Sequence, residues 1–257
     1  MFSVRCSERQ DGKGRCARRF LLIDVGNTHT RFALANGRRV LRAVEVPTAR
    51  LRGVPFACGS YVGAVLASVV PAATRKLVRW LPMRPLVVSA GIDLGVGIDY
   101  PNPAQIGADR LANAVGAVAR YGAPVIVVDF GTAVTFDLVN REGNYIGGVI
   151  GPGLAAMTDY LYEHTALLPH IRLQEPRSLV GKSTVAAMQV GAVIGYRGLV
   201  KEILAGLRRE RGMTGAVVVA TGGYGRLIAR TVPGIEHVNP GLTLEGLKAI
   251  YLRHESD

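Results

Sequence analysis

The sequence predicts an α/β protein built as two duplicated halves around a phosphate-binding cleft. Three observations carry this expectation. First, one motif occurs twice: LLIDVGNTHTRFAL at 21–34 and IVVDFGTAVTFDLV at 126–139. In the two copies Asp24 aligns with Asp129, Gly26 with Gly131 and Thr30 with Thr135. Second, each copy opens the same progression, three strands followed by helices mixed with strands. Third, each copy has the chemistry of a phosphate loop. Glycine at the turn permits close approach of a ligand, neighbouring N–H groups and Thr hydroxyls suit phosphate oxygens, and an Asp ending each strand suits a cation.

The elements follow in order. Residues 20–25 and 31–35 read as a hairpin and Val40–Val46 as a third strand. An apolar run at 61–70 ends at Pro71, and 72–81 has helical spacing through Leu77 and Leu81. Leu86–Ser89 reads as a strand, 93–103 as a polar Gly/Pro loop, and 104–120 as an Ala-rich helix with Leu111, Val115 and Val118 on one face. The pattern then restarts after Pro124, with strands at 125–130, 133–139 and 145–150 and a turn at Asn140–Asn144. Helices at 153–167 and 183–211, a strand at 216–220, a short helix at 221–230, a short strand near 235–238 and a last helix at 243–255 complete the second half. The halves are therefore drawn as 20–120 and 121–257, with no low-complexity linker between them.

Composition excludes several classes. With 49% hydrophobic residues in 257, the chain can bury a large core and is not disordered. No stretch approaches the ~18 apolar residues of a membrane span, so no membrane partner is expected. The basic N-terminus lacks the long apolar run of a secretory signal, and three cysteines without metal-ligand spacing read as reduced thiols in a cytoplasmic protein. Five histidines form no recognisable metal pair. The net charge of +12 favours anionic partners, yet no nucleic-acid-binding signature appears, and nucleic acid is not expected as a partner. Residues 1–19 carry six Lys/Arg against two acids. They read as a disordered basic extension, with a nucleic-acid arm or a misassigned start as alternatives.

Two other glycine motifs compete for the phosphate. Gly181-Lys182-Ser183-Thr184 resembles the end of a P-loop, but Pro176 stands where the first Gly belongs and no strand leads in. Thr221-Gly222-Gly223-Tyr224-Gly225 resembles a dinucleotide loop, but Ile228 replaces its third Gly. Gly222 and Gly223 still sit at a strand-to-helix junction, where bare backbone can lie against an adenine or ribose, or simply make a tight turn. The segment YPNPAQIGADRLAN at 100–113 places Asp109 and Arg110 near a helix start. Capping and dipole compensation explain an Asp there. So does a hydroxyl-bearing anionic substrate: Arg110 can grip a carboxylate bidentately, and Asp109 can accept the proton of a hydroxyl attacking a phosphoryl group.

In this order DVGNT (24–28), GADRLAN (107–113), DFGTAVTFD (129–137), GGVIGPGL (147–154), LLPHI (167–171), GKST (181–184), TGGYG (221–225) and PGLTLEGLKAIY (240–251) closely resemble type III pantothenate kinase. The resemblance runs from about Phe20 to Tyr251. It implies the actin/Hsp70/sugar-kinase fold, two ribonuclease-H-like halves with ATP between them. It also implies ATP-dependent phosphorylation of pantothenate to 4′-phosphopantothenate, the first step of coenzyme A biosynthesis, by a homodimer using Mg2+ and a monovalent cation, K+ or NH4+.

Carried onto this chain, the resemblance makes Asp24, Val25, Gly26, Asn27, Thr28, His29, Thr30 and Arg31 the ATP phosphate segment, with Asp24 near the metal. It gives Thr132 a second ATP contact and Asp129 the monovalent cation. Tyr100, Gly107, Ala108, Asp109 and Arg110 become the pantothenate site, with Asp109 as proton acceptor. Thr184 becomes a further pantothenate contact from one or other subunit, and Gly222 and Gly223 the adenosine side. The N-terminal extension departs from the family pattern. The competing readings are another kinase or phosphohydrolase of this fold, from which the GADR segment distinguishes the chain, and a non-enzymatic nucleotide-binding accessory factor, against which three intact aspartates argue.

Overall fold

The computed structural model describes residues 18–255. Most of the basic extension therefore lies outside the described residues. The first half opens with an antiparallel meander, β1 (Phe20–Val25), β2 (His29–Ala35) and β3 (Val40–Pro47), followed by β4 (Ala64–Ser68), α1 (Pro71–Trp80) and β5 (Leu86–Val87). A two-residue strand β6 (Gly97–Ile98) precedes α2 (Ala108–Tyr121). The second half repeats the meander as β7 (Val125–Phe130), β8 (Ala133–Val139) and β9 (Asn144–Pro152), then continues through α3 (Leu154–His164), α4 (Thr184–Leu207), β10 (Val217–Thr221), α5 (Gly225–Ala229), β11 (His237–Val238) and α6 (Leu242–Glu255).

The two sheets have the same order. The first runs β3-β2-β1-β4-β5, and the second contains β9-β8-β7-β10-β11 with β6 added at its β9 edge. In each, the central strand pairs antiparallel with its hairpin partner and parallel with the strand that returns after the meander. This is the duplication expected from the doubled motif. Two segments cross between the halves: β6 joins the second sheet beside β9, and α6 lies mainly on α2 and also touches β1 and β4.

Strand periodicity explains the layering and aims the key side chains. Leu21, Ile23 and Val25 point to the outer face of the first sheet, where they meet Leu77 of α1. Phe20 and Leu22 point inward, into a core shared with Leu111 and Val115 of α2, Leu247 and Ile250 of α6, and Val125 and Val127 of β7. Ile126, Val128 and Phe130 face outward onto Val193 and Tyr196 of α4 and Ile228 of α5. The layers are therefore helix, sheet, a central helix pair, sheet and helix. Because side chains alternate along a strand, Asp24 shares the inner face with Phe20 and Leu22, and Asp129 shares it with Val125 and Val127. The duplication thus turns both aspartates toward α2.

The central helices meet backbone to backbone. A Cβ on Gly246 would collide with the Ala112 carbonyl, and one on Gly116 would lie 2.6 Å from the Leu242 carbonyl oxygen. Glycine at this crossing lets α6 lock onto α2.

The structure trims several expected elements. The helix expected over 104–120 begins at Ala108, after a 3-10 turn at Pro103–Gln105, with Gly107 as its N-cap. The helix expected over 183–211 stops at Leu207, where Arg208 caps it. β6 falls within the segment expected to be loop, because its pairing with β9 is non-local.

Candidate active site

Both Asp-x-Gly turns are tight, with Gly26 N–H donating to the His29 carbonyl at 2.9 Å and Gly131 N–H to the Ala133 carbonyl at 3.1 Å. Thr48 fastens the first turn, donating to the Gly26 carbonyl at 2.7 Å and lying 3.0 Å from the Thr30 hydroxyl. The two loops meet at their tips, where the Thr28 and Thr132 hydroxyls are 2.9 Å apart.

Within the first loop, Asn27, Thr28 and His29 are exposed, whereas Val25 and Thr30 are buried. Arg31 donates from Nε to Glu45 at 2.7 Å. The exposed Thr28 hydroxyl, beside the exposed Thr132 hydroxyl of the second loop, is therefore open to an incoming anion.

Three carboxyls converge beneath these loops. Burial, and then the neighbouring Asp109, raise the Asp24 carboxyl from 3.8 to about 7, with Arg31 opposing them and Asp129 adding a smaller push upward. Burial raises Asp129 to about 6, with Asp109 and Asp137 adding to it and Asn113 opposing it. Burial also raises Asp109, while the Arg110 N–H and charge pull it down. That N–H donates to Asp109 Oδ1 at 2.8 Å, tying the carboxyl to the start of α2. A Cβ on Gly107 would lie 2.5 Å from Asp109 Oδ1, so the bare N-cap makes room for it. Ala108 is buried in the same turn.

Asp129 is oriented from behind. Asn113, one helical turn after Asp109, donates to Asp129 Oδ2 at 2.9 Å, and Thr243 of α6 donates to Asn113 Oδ1 at 2.7 Å. Gly222 covers the other oxygen. Its φ is +83°, and a Cβ there would lie 2.5 Å from Asp129 Oδ1 and 2.6 Å from the Phe130 carbonyl. Only glycine adopts that conformation and leaves that space at little cost. Beside it, an added Cβ on Gly223 would meet nothing within 4 Å.

Arg110 lies over the Tyr145 ring, 5.9 Å from its centroid, and donates from Nε to the fully buried Asp137 at 2.6 Å. Tyr145 donates to the same Asp137 oxygen at 2.8 Å, and Thr135 donates to the other at 3.1 Å. Tyr100 meets Tyr145 edge to face at 6.3 Å and lies against Gly147.

The structure thus gathers Asp24, Asp109 and Asp129, and sets Tyr100 and Arg110 on the shared Tyr145. Thr184 stands apart at the exposed start of α4, and among the described residues no hydrogen bond joins it to Asp109 or Arg110. An open cavity of about 1020 Å3, lined by Asp99, Asn140, Arg141, Gly148 and Glu210 among others, does not include the three carboxyls.

Asn113, Asp137 and Tyr145 were not singled out as site residues from the sequence. The signals available were modest: an amide one turn beyond Asp109, and a lone charge inside the apolar run of β8.

Comparison with known proteins follows the same lines. A family model described as type III pantothenate kinase matches residues 20–206. The type III pantothenate kinase of Akkermansia muciniphila is 55% identical over 234 residues, 89% of this chain and 96% of its own. That of Acidiphilium cryptum is 43% identical over 252 residues, 91% and 94% of the two chains. Among solved structures, a conserved Baf family protein from Campylobacter jejuni superposes with a TM-score of 0.60 at 20% identity, covering 92% of this chain and 100% of that one. Ta0583, an archaeal actin homolog, gives 0.50 at 11%, covering 93% and 99%. At such identities the structural likenesses speak to the fold, which is actin-like.

Proposed function

The chain belongs to the type III pantothenate kinase family, and from that premise we propose how its residues divide the work. The reaction is the ATP-dependent phosphorylation of pantothenate to 4′-phosphopantothenate, which opens coenzyme A biosynthesis. One observation carries the assignment of roles: Asp24, Asp109 and Asp129 converge beneath two joined glycine turns, with Arg110 fixed beside Asp109.

Phosphoryl transfer is mainly positioning and charge stabilisation. The Thr28 and Thr132 hydroxyls and the loops that carry them hold ATP phosphate oxygens, and Gly222 with the open Gly223 beside it faces the nucleoside. Arg110 pairs with the pantothenate carboxylate, Tyr100 walls the pocket, and Asp109 orients the hydroxyl. As a weak base, Asp109 takes the proton late, as the oxygen bonds to phosphorus.

The donor set fits hard cations. The carboxylate oxygens suit Mg2+ and K+, and the raised Asp24 and Asp129 carboxyls mark negative charge that a cation would relieve. Asp24 would hold Mg2+ through its waters, and Asp129 a monovalent cation, K+ or NH4+. When bound, these ions neutralise phosphate charge.

ATP as donor supports a cytoplasmic location for the reaction. Among the described residues no helix is long and apolar enough to cross a membrane. Exposed Tyr160, Tyr162, Leu167, Leu179 and Val180, on α3 and the loop that follows it, support a homodimer. The partner would then bring Thr184 to the site.

A coupled ADP-release assay tests the reading: turnover is expected with pantothenate and stimulation by K+, lost in Asp129→Ala. Turnover with glycerol or glucose but not with pantothenate would overturn it.

A further inference from the structure

Arg110 uses only one of its hydrogen-bonding edges within the protein. Its Nε–H is spent on Asp137 at 2.6 Å, and among the described residues no hydrogen bond occupies Nη1 or Nη2. A guanidinium grips a carboxylate through either the Nε/Nη2 edge or the Nη1/Nη2 edge. With Nε taken, only the outer edge remains for a full bidentate grip.

Asp137 is held on both of its carboxylate oxygens. It is fully buried on β8, and each of its hydrogen bonds fixes an orientation. Oδ1 accepts from both Arg110 Nε and the Tyr145 hydroxyl, at 2.6 and 2.8 Å, and Oδ2 accepts from Thr135 at 3.1 Å. Tyr145 stays a neutral donor, because burial and the adjacent Asp137 hold its hydroxyl far above the ordinary tyrosine value. Strand β9 leaves room for the guanidinium: a Cβ on Gly148 would lie 3.1 Å from Arg110 Nη2.

We propose that Asp137, braced by Tyr145 and Thr135, is a positioning residue that clamps Arg110 by Nε and presents its outer edge to the carboxylate of the acceptor. This rests on the reading of Arg110 as the carboxylate-binding group. It makes acceptor specificity a property of a four-residue unit anchored on the buried Asp137 and Tyr145. A side chain held by one ion pair and a ring loses little freedom on binding its ligand, so the clamp selects acceptors that carry a carboxylate at that position.

The test uses Tyr145→Phe, which keeps the ring and removes one bond to Asp137, and Asp137→Asn, which keeps the shape and removes the charge. Each is assayed with pantothenate and with its alcohol analogue, in which CH2OH replaces the carboxylate. Tyr145→Phe is expected to raise KM for pantothenate about 10-fold, with kcat and KM for ATP within about twofold, and to leave KM for the alcohol unchanged. Adding Tyr145→Phe to Arg110→Ala is expected to have no further effect on KM.

An unchanged pantothenate KM in Tyr145→Phe, or an equal change for both acceptors, overturns the clamp. If Asp137→Asn fails to fold, Tyr145→Phe decides alone. Wild-type protein without pantothenate turnover defeats the functional reading instead, so the two failures are distinct.

Discussion

Raising the pH of the ligand-free protein from 5 to 8 should destabilise it, and Asp24 should carry much of the effect. Its carboxyl is raised in the folded state from 3.8 to about 7 by burial and by Asp109 and Asp129. For a raised carboxyl the folded state binds more protons than the unfolded one between these values. Its contribution is then fully present below about pH 4 and is lost as pH rises through about 7. Each pKa step is worth about 1.4 kcal/mol, so ionising Asp24 in place costs about 4 kcal/mol. Because the unfolded carboxyl is already mostly ionised at pH 5, about 2.5 kcal/mol of this is lost between pH 5 and 8, which at about 2–4 °C per kcal/mol for a chain of this size is a Tm fall of about 5–10 °C. The assay is thermal denaturation from pH 5 to 8 of wild type and Asp24→Asn, without nucleotide or Mg2+. The wild-type curve should fall more steeply, by about 5–10 °C across the range, and Mg-ATP should restore the difference at pH 8 by mass action. Parallel curves for the two proteins would refute the idea that the cleft stores unfavourable charge at Asp24.

Three further outcomes are expected. Asp109→Asn should lower kcat by about 10²–10⁴ with Tm unchanged or raised, and near-normal turnover would remove Asp109 from the proton-accepting role. Gly222→Ala forces a side chain into φ +83° and to within 2.5 Å of Asp129 Oδ1. The backbone term alone costs about 1–2 kcal/mol, and a K+ titration should show a weakened response; an unaltered one would separate Gly222 from the Asp129 site. Gly246→Ala drives a Cβ into the Ala112 carbonyl and should cost about 1–3 kcal/mol in denaturant unfolding, with the m-value retained.

The parts of the fold most readable from sequence were those where local rules agree. In β1, β2, β7 and β8, apolar alternation, a glycine turn and a second copy all point to the same hairpin, and the observed strand ends fall close to the expected ones. β6 could not be read that way: two residues in a Gly/Asp-rich loop pair only because β9 lies alongside. The start of α2 was misplaced because Ala104 and Gln105 have helix-forming side chains, while Pro103 and Gly107 confine them to a 3-10 turn. In the site, Asp24 and Asp129 stood out because they repeat. Asp137 did not, because a lone acid in a strand does not reveal whether it faces solvent or a guanidinium. The acceptor itself came from the family resemblance, since an Asp-Arg pair at a helix start fits many anionic alcohols.

The two copies of the motif differ in what stands behind each carboxylate. Asp129 receives a hydrogen bond from Asn113, which is itself held by Thr243, and its carboxyl rises only to about 6. Asp24 has no such donor among the described residues, faces the carboxyls of Asp109, Asp129 and Glu45, and rises to about 7. An ionised Asp129 is thus partly stabilised by the protein before any ligand arrives, through a chain that ends on the C-terminal helix. On the proposed assignment, Asp24 would rely more on an external cation. Duplication supplied two equivalent strand ends, and α2 and α6, inserted between the sheets, made them unequal: one carboxylate is held in place by Asn113 and Thr243, and the other, on the proposed assignment, would rely on the charge that arrives with the nucleotide.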